Sequence, residues 1–236
     1  MFPIQDCSRP GRFPFWVALI ILANIVVFYF ETASPNLDLF ISQFAIIPFR
    51  INFSEITTLT PFVSSLFLHG GILHLAINMW FLWIFGDNVE ARLGFLFPVF
   101  YLLSGIAGAY LQYSVSATSD IPNLGASGAV AGVMGAYLVL FPKNQIQTLI
   151  PIFIIGPIVD LPAALILIYW FFIQFFSGLG TAVFPIVLIT GGVAYFAHIG
   201  GFLTGFLLGK FLSYFYIERP HPGGLLKGQL SKAVFP

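Results

Sequence analysis

Gly125-Ala126-Ser127-Gly128-Ala129-Val130-Ala131-Gly132-Val133-Met134-Gly135-Ala136-Tyr137-Leu138-Val139-Leu140 is an uncharged run of helix length, rich in small residues, with a serine at its head. A later apolar run carries Ala197-His198-Ile199-Gly200-Gly201. A hydroxyl and an imidazole inside apolar spans are costly unless paired or hydrated, so both are candidates for function. Serine with histidine is the chemistry of nucleophilic hydrolysis. The question this stretch raises is how hydrolysis proceeds where hydrocarbon excludes water.

The setting follows from composition. Of 236 residues, 58% are hydrophobic and 8% charged, against roughly 25% charged in soluble domains. That balance excludes a soluble enzyme and a disordered chain. The length suits one compact membrane unit, 1–236, with a transmembrane core over about 15–216 and short tails. Net charge is zero, which gives no basic face for nucleic acid. The single Cys7 makes neither an internal disulfide nor a metal cluster. Arg9 and Arg12 precede the first apolar run, but Tyr29-Phe30-Glu31-Thr32 offers no small-residue cleavage site, so that run is expected to be retained as a span.

Apolar runs fall near Phe15–Phe30, Ile72–Phe85, Phe95–Tyr113, Ser127–Phe141, Ala163–Phe176 and Pro185–Leu212. A bilayer core takes roughly 20 helical residues, so the second, fourth and fifth runs are short. A short helix can begin below the membrane surface and leave a wet dent above it. Ser127 heads one of these. Six spans put both termini on one side, and Lys and Arg collect in the cytoplasm. Eight of the nine basic residues fall on the terminal side and only Arg50 opposite. The expected location is a prokaryotic plasma membrane with cytoplasmic termini.

Two connections stand out. Glu31 to His69 is long and amphipathic in places such as Phe40–Phe53, so part of it should lie in the interface or on the bundle. Ile146–Val159 is apolar but broken by Pro151, Gly156 and Pro157, which fits an interfacial hairpin, a half-helix or a re-entrant segment. No internal repeat is visible, which weighs against inverted-repeat transporters.

The helical wheel brings the two runs together. At about 100° per residue, Gly201, Gly205 and Gly209 follow the direction of His198. Gly128, Ala131, Gly132 and Gly135 form a small-residue patch bordered by Ser127, and such surfaces let membrane helices approach closely. Docking stripe on patch places imidazole and hydroxyl near the external end. His69-Gly70-Gly71-Ile72-Leu73-His74-Leu75-Ala76-Ile77-Asn78 opens the second span at the same end. His74 and Asn78 are one turn apart, and both can donate hydrogen bonds to a developing oxyanion. The Ser127 N–H at a helix start adds a third donor. No carboxylate lies at this depth to complete a triad, so the reading is a Ser–His dyad. Tyr195 points off the His198 direction and reads as core.

With these residues in hand, the chain resembles the rhomboid intramembrane serine proteases. The match rests on His69…His74…Asn78, on Gly125-x-Ser127-Gly128, and on Ala197-His198-x-x-Gly201-x-x-x-Gly205. The resemblance implies an all-α, polytopic six-transmembrane-helix bundle. It also implies Ser127 as nucleophile and His198 as base and then acid, with an oxyanion hole of His74, Asn78 and the Ser127 N–H. His69, Gly125, Gly128 and Gly201 would be supporting residues. Neither cofactor nor metal is implied. The partners would be transmembrane protein substrates and the lipid bilayer. Glu90 and Gly94 look like the family's structural polar turn.

Two departures are visible. Some members carry a tyrosine four residues after the nucleophile, stacked on the histidine, where this chain has Ala131. The Trp-Arg pair of some first external loops has only Phe49-Arg50 as its counterpart. The alternatives are a catalytically inactive relative that binds membrane proteins, and a transporter or channel. A transporter would continue its polar lining toward the cytoplasm, whereas the helices below Ser127 and His198 are almost wholly apolar or glycine. A zinc hydrolase using His69, His74 and His198 would lack a carboxylate base. Access for a helical substrate is expected sideways from the bilayer. The gate would be the fifth span, with Trp170, Phe171, Phe172, Phe175 and Phe176, under a mobile Ser177–Pro185 loop.

Overall fold

The computed structural model describes residues 1–151, 156–183 and 192–215. Strand β1 (Phe2–Asp6) leads into helix α1 (Phe15–Ala33). The short helices α2 (Leu37–Phe44) and α3 (Pro61–Ser64) lie in the loop before α4 (Ile72–Leu93) and α5 (Phe97–Val115). Helix α6 (Ser127–Leu140) is followed by β2 (Gln145–Leu149), β3 (Ile158–Pro162), α7 (Ala163–Val183) and α8 (Tyr195–Phe215). Helices α1, α7 and α8, and the continuous apolar stretch of α4 and α5, are long and apolar enough to cross a membrane. The protein is a helical membrane bundle.

Helix α6 is the short one, at 14 residues, and every residue from Gly128 to Tyr137 is buried. It is the central post of the bundle, enclosed by protein. A helix that meets no lipid has no need to match the bilayer's thickness. The outer helices show the reverse pattern: Leu19, Leu22, Ile25 and Val26 on α1 are exposed, while Val17, Ile20 and Asn24 face inward.

The predicted seam exists. A methyl group at Gly201 would fall on the Gly128 carbonyl oxygen, and one at Gly205 on that of Gly132. Helices α6 and α8 are in backbone contact, which only glycine permits at these two crossings. Ala136 completes the seam against Gly209, while Ala131 lines a cavity beside it.

Several boundaries differ from the sequence reading. Helix α4 runs 22 residues and carries Asp87 and Glu90 inside it. It continues because the chain's N-terminal part satisfies those groups: the Val17 N–H donates to Glu90 Oε2 at 2.8 Å, and the Arg12 guanidinium donates to the Glu90 carbonyl at 3.3 Å. Helix α7 likewise extends to Val183, so Ser177–Val183 is helix and not a loop. Residues 184–191, where the end of the expected cap and the start of the sixth span fall, lie outside the described residues.

The Ile146–Val159 segment contributes two strands that pair antiparallel, which fits the hairpin among the forms expected of it and not the half-helix. Strands β1, β2 and β3 pair antiparallel in that order, with Gln147 opposite both Gln5 and Asp160. Ile146 and Thr148 point from β2 into the bundle end. Two short strands cannot stand alone. The third strand comes from the far end of the chain, so no local pattern announces it.

Part of the long loop packs on the bundle, as one of the two expectations had it. Ala45, Ile46 and Ile47 are buried, whereas Leu39, Phe49, Phe53 and Ile56 are exposed apolar groups suited to an interface. Ile46 bridges Asn123 through N–H···O bonds of 3.0 and 2.7 Å, bracing the segment that leads into Ser127. The Arg50 guanidinium sits 5.6 Å from the centre of the Phe49 ring.

Candidate active site

Ser127 is the first residue of α6, and the turn before it is held from outside: the Gly125 N–H donates to the Ser65 carbonyl at 2.9 Å. Gly125 has φ +132°, and a Cβ there would lie 2.9 Å from Cε1 and 3.0 Å from Nε2 of His74. Glycine is therefore required twice over, by its conformation and by the imidazole against it. The same point is 3.7 Å from Ser127 Oγ, so the His74 ring and the hydroxyl flank one backbone turn.

On the next helix face, the space at Gly128 is closed by the Ala197 carbonyl, 3.3 Å from where a Cβ would sit. The neighbours of Ser127 and His198 thus touch, and both residues line one cavity of about 740 Å³ with His74 and Asn78. Among the described residues, no Asp, Glu, Lys or Arg lines it. His198 is 9% exposed. Asn78 is 5% exposed, and its Nδ2 has no hydrogen-bond partner among the described residues. A buried donor left unpaired costs roughly 1–3 kcal/mol, so an amide held this way at a cavity wall is available to an incoming acceptor.

His69 lies behind the cavity. It is 1% exposed, its ring meets His74 edge-on with centroids 5.2 Å apart, and its backbone N–H donates to the buried Glu31 carboxylate at 3.0 Å. Burial, and then the proximity of His74, push the His69 imidazole down to about 4. It is neutral and its surroundings are structural. Glu31, which the sequence reading left in a loop, is in fact the strut that fixes this corner.

The sequence reading found no third group for His198, and the structure holds one. Gln174 on α7 places Oε1 2.7 Å from His198 Nδ1. Trp170, one turn earlier, faces the same imidazole with ring centroids 5.8 Å apart, and Tyr195 meets it edge-on at 6.5 Å. The imidazole that Ala131 leaves uncovered is thus contacted from α7 instead. The signal was legible: Gln174 is the single amide or charged side chain in the Ala163–Phe176 run, an intramembrane polar group of the kind that marked Ser127 and His198. The aromatics of α7 divide between two faces. Trp170 and Phe171 turn inward, Phe171 stacking on Phe202 at 4.7 Å, while Phe172 and Phe176 are exposed to the lipid side.

An imidazole engaged through Nδ1 leaves Nε2 free to take a proton, and a hydroxyl at a helix N-terminus sits beside backbone and side-chain donors. Comparison with known proteins identifies the family. The Rhomboid domain matches residues 57–215. The chain is 37% identical to RHOMBOID-like protein 4 of Arabidopsis thaliana over 66% of its length and 34% of that protein's. It is 32% identical to Rhomboid protein 1, mitochondrial, of Saccharomyces cerevisiae over 67% of its length and 43% of that protein's. With the human Presenilin-associated rhomboid-like protein, mitochondrial, identity is 28% over 73% of this chain and 47% of the other. The chain thus spans a third to a half of these relatives. All three are eukaryotic and two are named mitochondrial, so they lend no support to the prokaryotic location expected from the sequence.

Proposed function

The chain belongs to the rhomboid family, and on that footing we propose that it is an intramembrane serine endopeptidase cutting transmembrane-anchored proteins near the external end of their membrane segment. The observation that carries this reading is the convergence of Ser127, His198, Asn78 and His74, from three helices, on one cavity of about 740 Å³.

In the proposed reaction Ser127 Oγ attacks the scissile carbonyl carbon and passes its proton to His198 Nε2. The oxyanion is held by Asn78 Nδ2, the His74 imidazole and the Ser127 N–H. As the C–N bond breaks, the proton on Nε2 moves to the leaving amine. Water then attacks the acyl-enzyme, gives a proton to His198, and Ser127 recovers its hydrogen as the acid departs. A transmembrane helix hides its carbonyls in internal bonds that are expensive to break in lipid. Substrates should therefore carry helix-weakening Gly or Pro near the cut, with a small residue before it, and approach sideways past α7.

The test is a fluorophosphonate probe applied to the detergent-solubilised protein, with the labelled residue mapped. Labelling at Ser127 that is lost in His198→Ala is expected. A folded protein whose Ser127 never labels would instead be a non-catalytic binder of membrane proteins.

The proposed orientation has both termini in the cytoplasm. Arg9, Arg12, Arg92 and Lys143 gather at the sheet end of the bundle and Arg50 at the cavity end, the asymmetry that orientation requires. After Cys7 is replaced, Asn36→Cys should react with an impermeant thiol reagent in intact cells and Lys143→Cys should not. The reverse pattern inverts the topology.

A further inference from the structure

We propose that Gln174 is the positioning residue of His198, and that by carrying it α7 aligns the base only when seated against α8. The inference rests on the dyad reading above and adds to it the means by which an imidazole without a carboxylate partner is held in its working form.

The geometry carries the argument. Gln174 Oε1 lies 2.7 Å from His198 Nδ1. A carbonyl oxygen accepts and cannot donate, so this bond requires the proton on Nδ1 and leaves the Nε2 lone pair toward the cavity that Ser127 lines. That is the tautomer a general base needs. The Nδ1 proton stays in place through both half-reactions, while only Nε2 receives and releases one. Trp170 is one helical turn from Gln174, and its ring lies against the imidazole at 5.8 Å with 35° between the planes. The two side chains form a grip from one face of one helix. An amide in an otherwise apolar run is expensive unless paired, and its partner here is the base.

The same helix presents Phe172 and Phe176 to the lipid side and packs inward mainly on α8. Any outward movement of α7 that widens the cavity withdraws Gln174 and Trp170 from His198. The base is then free to rotate and to populate the wrong tautomer. Alignment of the base and seating of α7 are one event, so a cavity standing open is a poor catalyst.

The experiment uses the full chain with 15N-labelled histidine. It reads the His198 tautomer by NMR, the signal being assigned by its loss in His198→Ala, and the rate at which a fluorophosphonate labels Ser127. In the wild type, Nδ1–H is expected as the dominant tautomer. Gln174→Met, close in volume but with no strong acceptor, should lose that preference and label about tenfold more slowly at an unchanged unfolding temperature. Gln174→Glu keeps an acceptor oxygen and should restore both readouts to within a few-fold. Labelling of Gln174→Met at the wild-type rate with its His198 spectrum unchanged overturns the proposal. Should Gln174→Met fail to fold, the wild-type spectrum decides: dominant Nε2–H overturns the proposal and Nδ1–H supports it. Wild-type protein that fails to label Ser127, or labels it without His198, sinks the dyad reading itself, a result distinct from either.

Discussion

The two ends of α6 treat polar groups in opposite ways. At its C-terminal end, Tyr137 donates to the Asp6 carboxylate, Asn88 Nδ2 donates to the same carboxylate at 2.6 Å, and Asn144 Nδ2 donates to the Tyr137 hydroxyl at 3.0 Å. Burial pushes the Asp6 carboxyl upward, with those bonds opposing. At the N-terminal end, 10 residues earlier in the helix, Ser127 faces open space and Asn78 Nδ2 has no partner among the described residues. One end uses polar groups to fasten the N-terminal strand and the sheet to the bundle. The other leaves them unspent. The difference teaches that the paired groups at one end hold elements together, while at the other an unpaired buried amide, Asn78, faces the cavity where an acceptor can complete its bonding.

That contrast can be broken by substitution. Ser127→Ala or His198→Ala should lower cleavage of a transmembrane substrate by a factor on the order of 10⁶, with the double variant no worse, because the pair acts as a unit. Neither change should lower the unfolding temperature. Substantial turnover in Ser127→Ala would end the mechanism.

The seam between the two ends is next in size. Gly205→Val drives a side chain into the Gly132 backbone, and a loss above about 4 kcal/mol is expected from such overpacking. Thermal unfolding and the yield of monodisperse protein measure it. A stable Gly205→Val protein would mean that α6 and α8 can part without penalty.

Asn78→Ala should slow cleavage about 10²–10³-fold, the usual loss for one oxyanion donor, at equal or higher stability, since an unpaired buried amide is removed. A fall in stability that accounts for the lost activity would make Asn78 a structural residue and erase the distinction between the ends. Tyr137→Phe should do the reverse. It should cost about 1–3 kcal/mol, the price of leaving a buried partner short of a bond, while kcat/KM of the folded protein holds. A selective loss of kcat in Tyr137→Phe would mean that the sheet end reaches the chemistry.

Much of this was legible before any fold was known. Ser127, His198, His74 and Asn78 stood out because a hydrogen-bonding side chain in an apolar run is anomalous wherever it occurs, and the glycine spacing on α6 and α8 named the two surfaces that meet. The short fourth helix was legible too, whereas the second and fifth spans, also expected to be short, run to 22 and 21 residues. Less was readable where polar residues closed a span. The second apolar run was read as ending near Phe85, and the partners brought by Val17, Arg9 and Arg12 let α4 carry Asp87 and Glu90 on to Leu93.

The sequence by itself determined the membrane class, the order of the spans, the α6–α8 seam and the residue types that carry the proposed chemistry. Each of these depends on composition or on periodicity within a single helix. Only the tertiary structure decided that Gln174 and Trp170 meet His198, that Ala131 turns to the cavity, and that the first strand closes a sheet with a hairpin more than a hundred residues away. Those outcomes depend on how far one helix is rotated about its axis and which element it leans on. That choice is made by the packing of the whole bundle, so no stretch of chain specifies it alone.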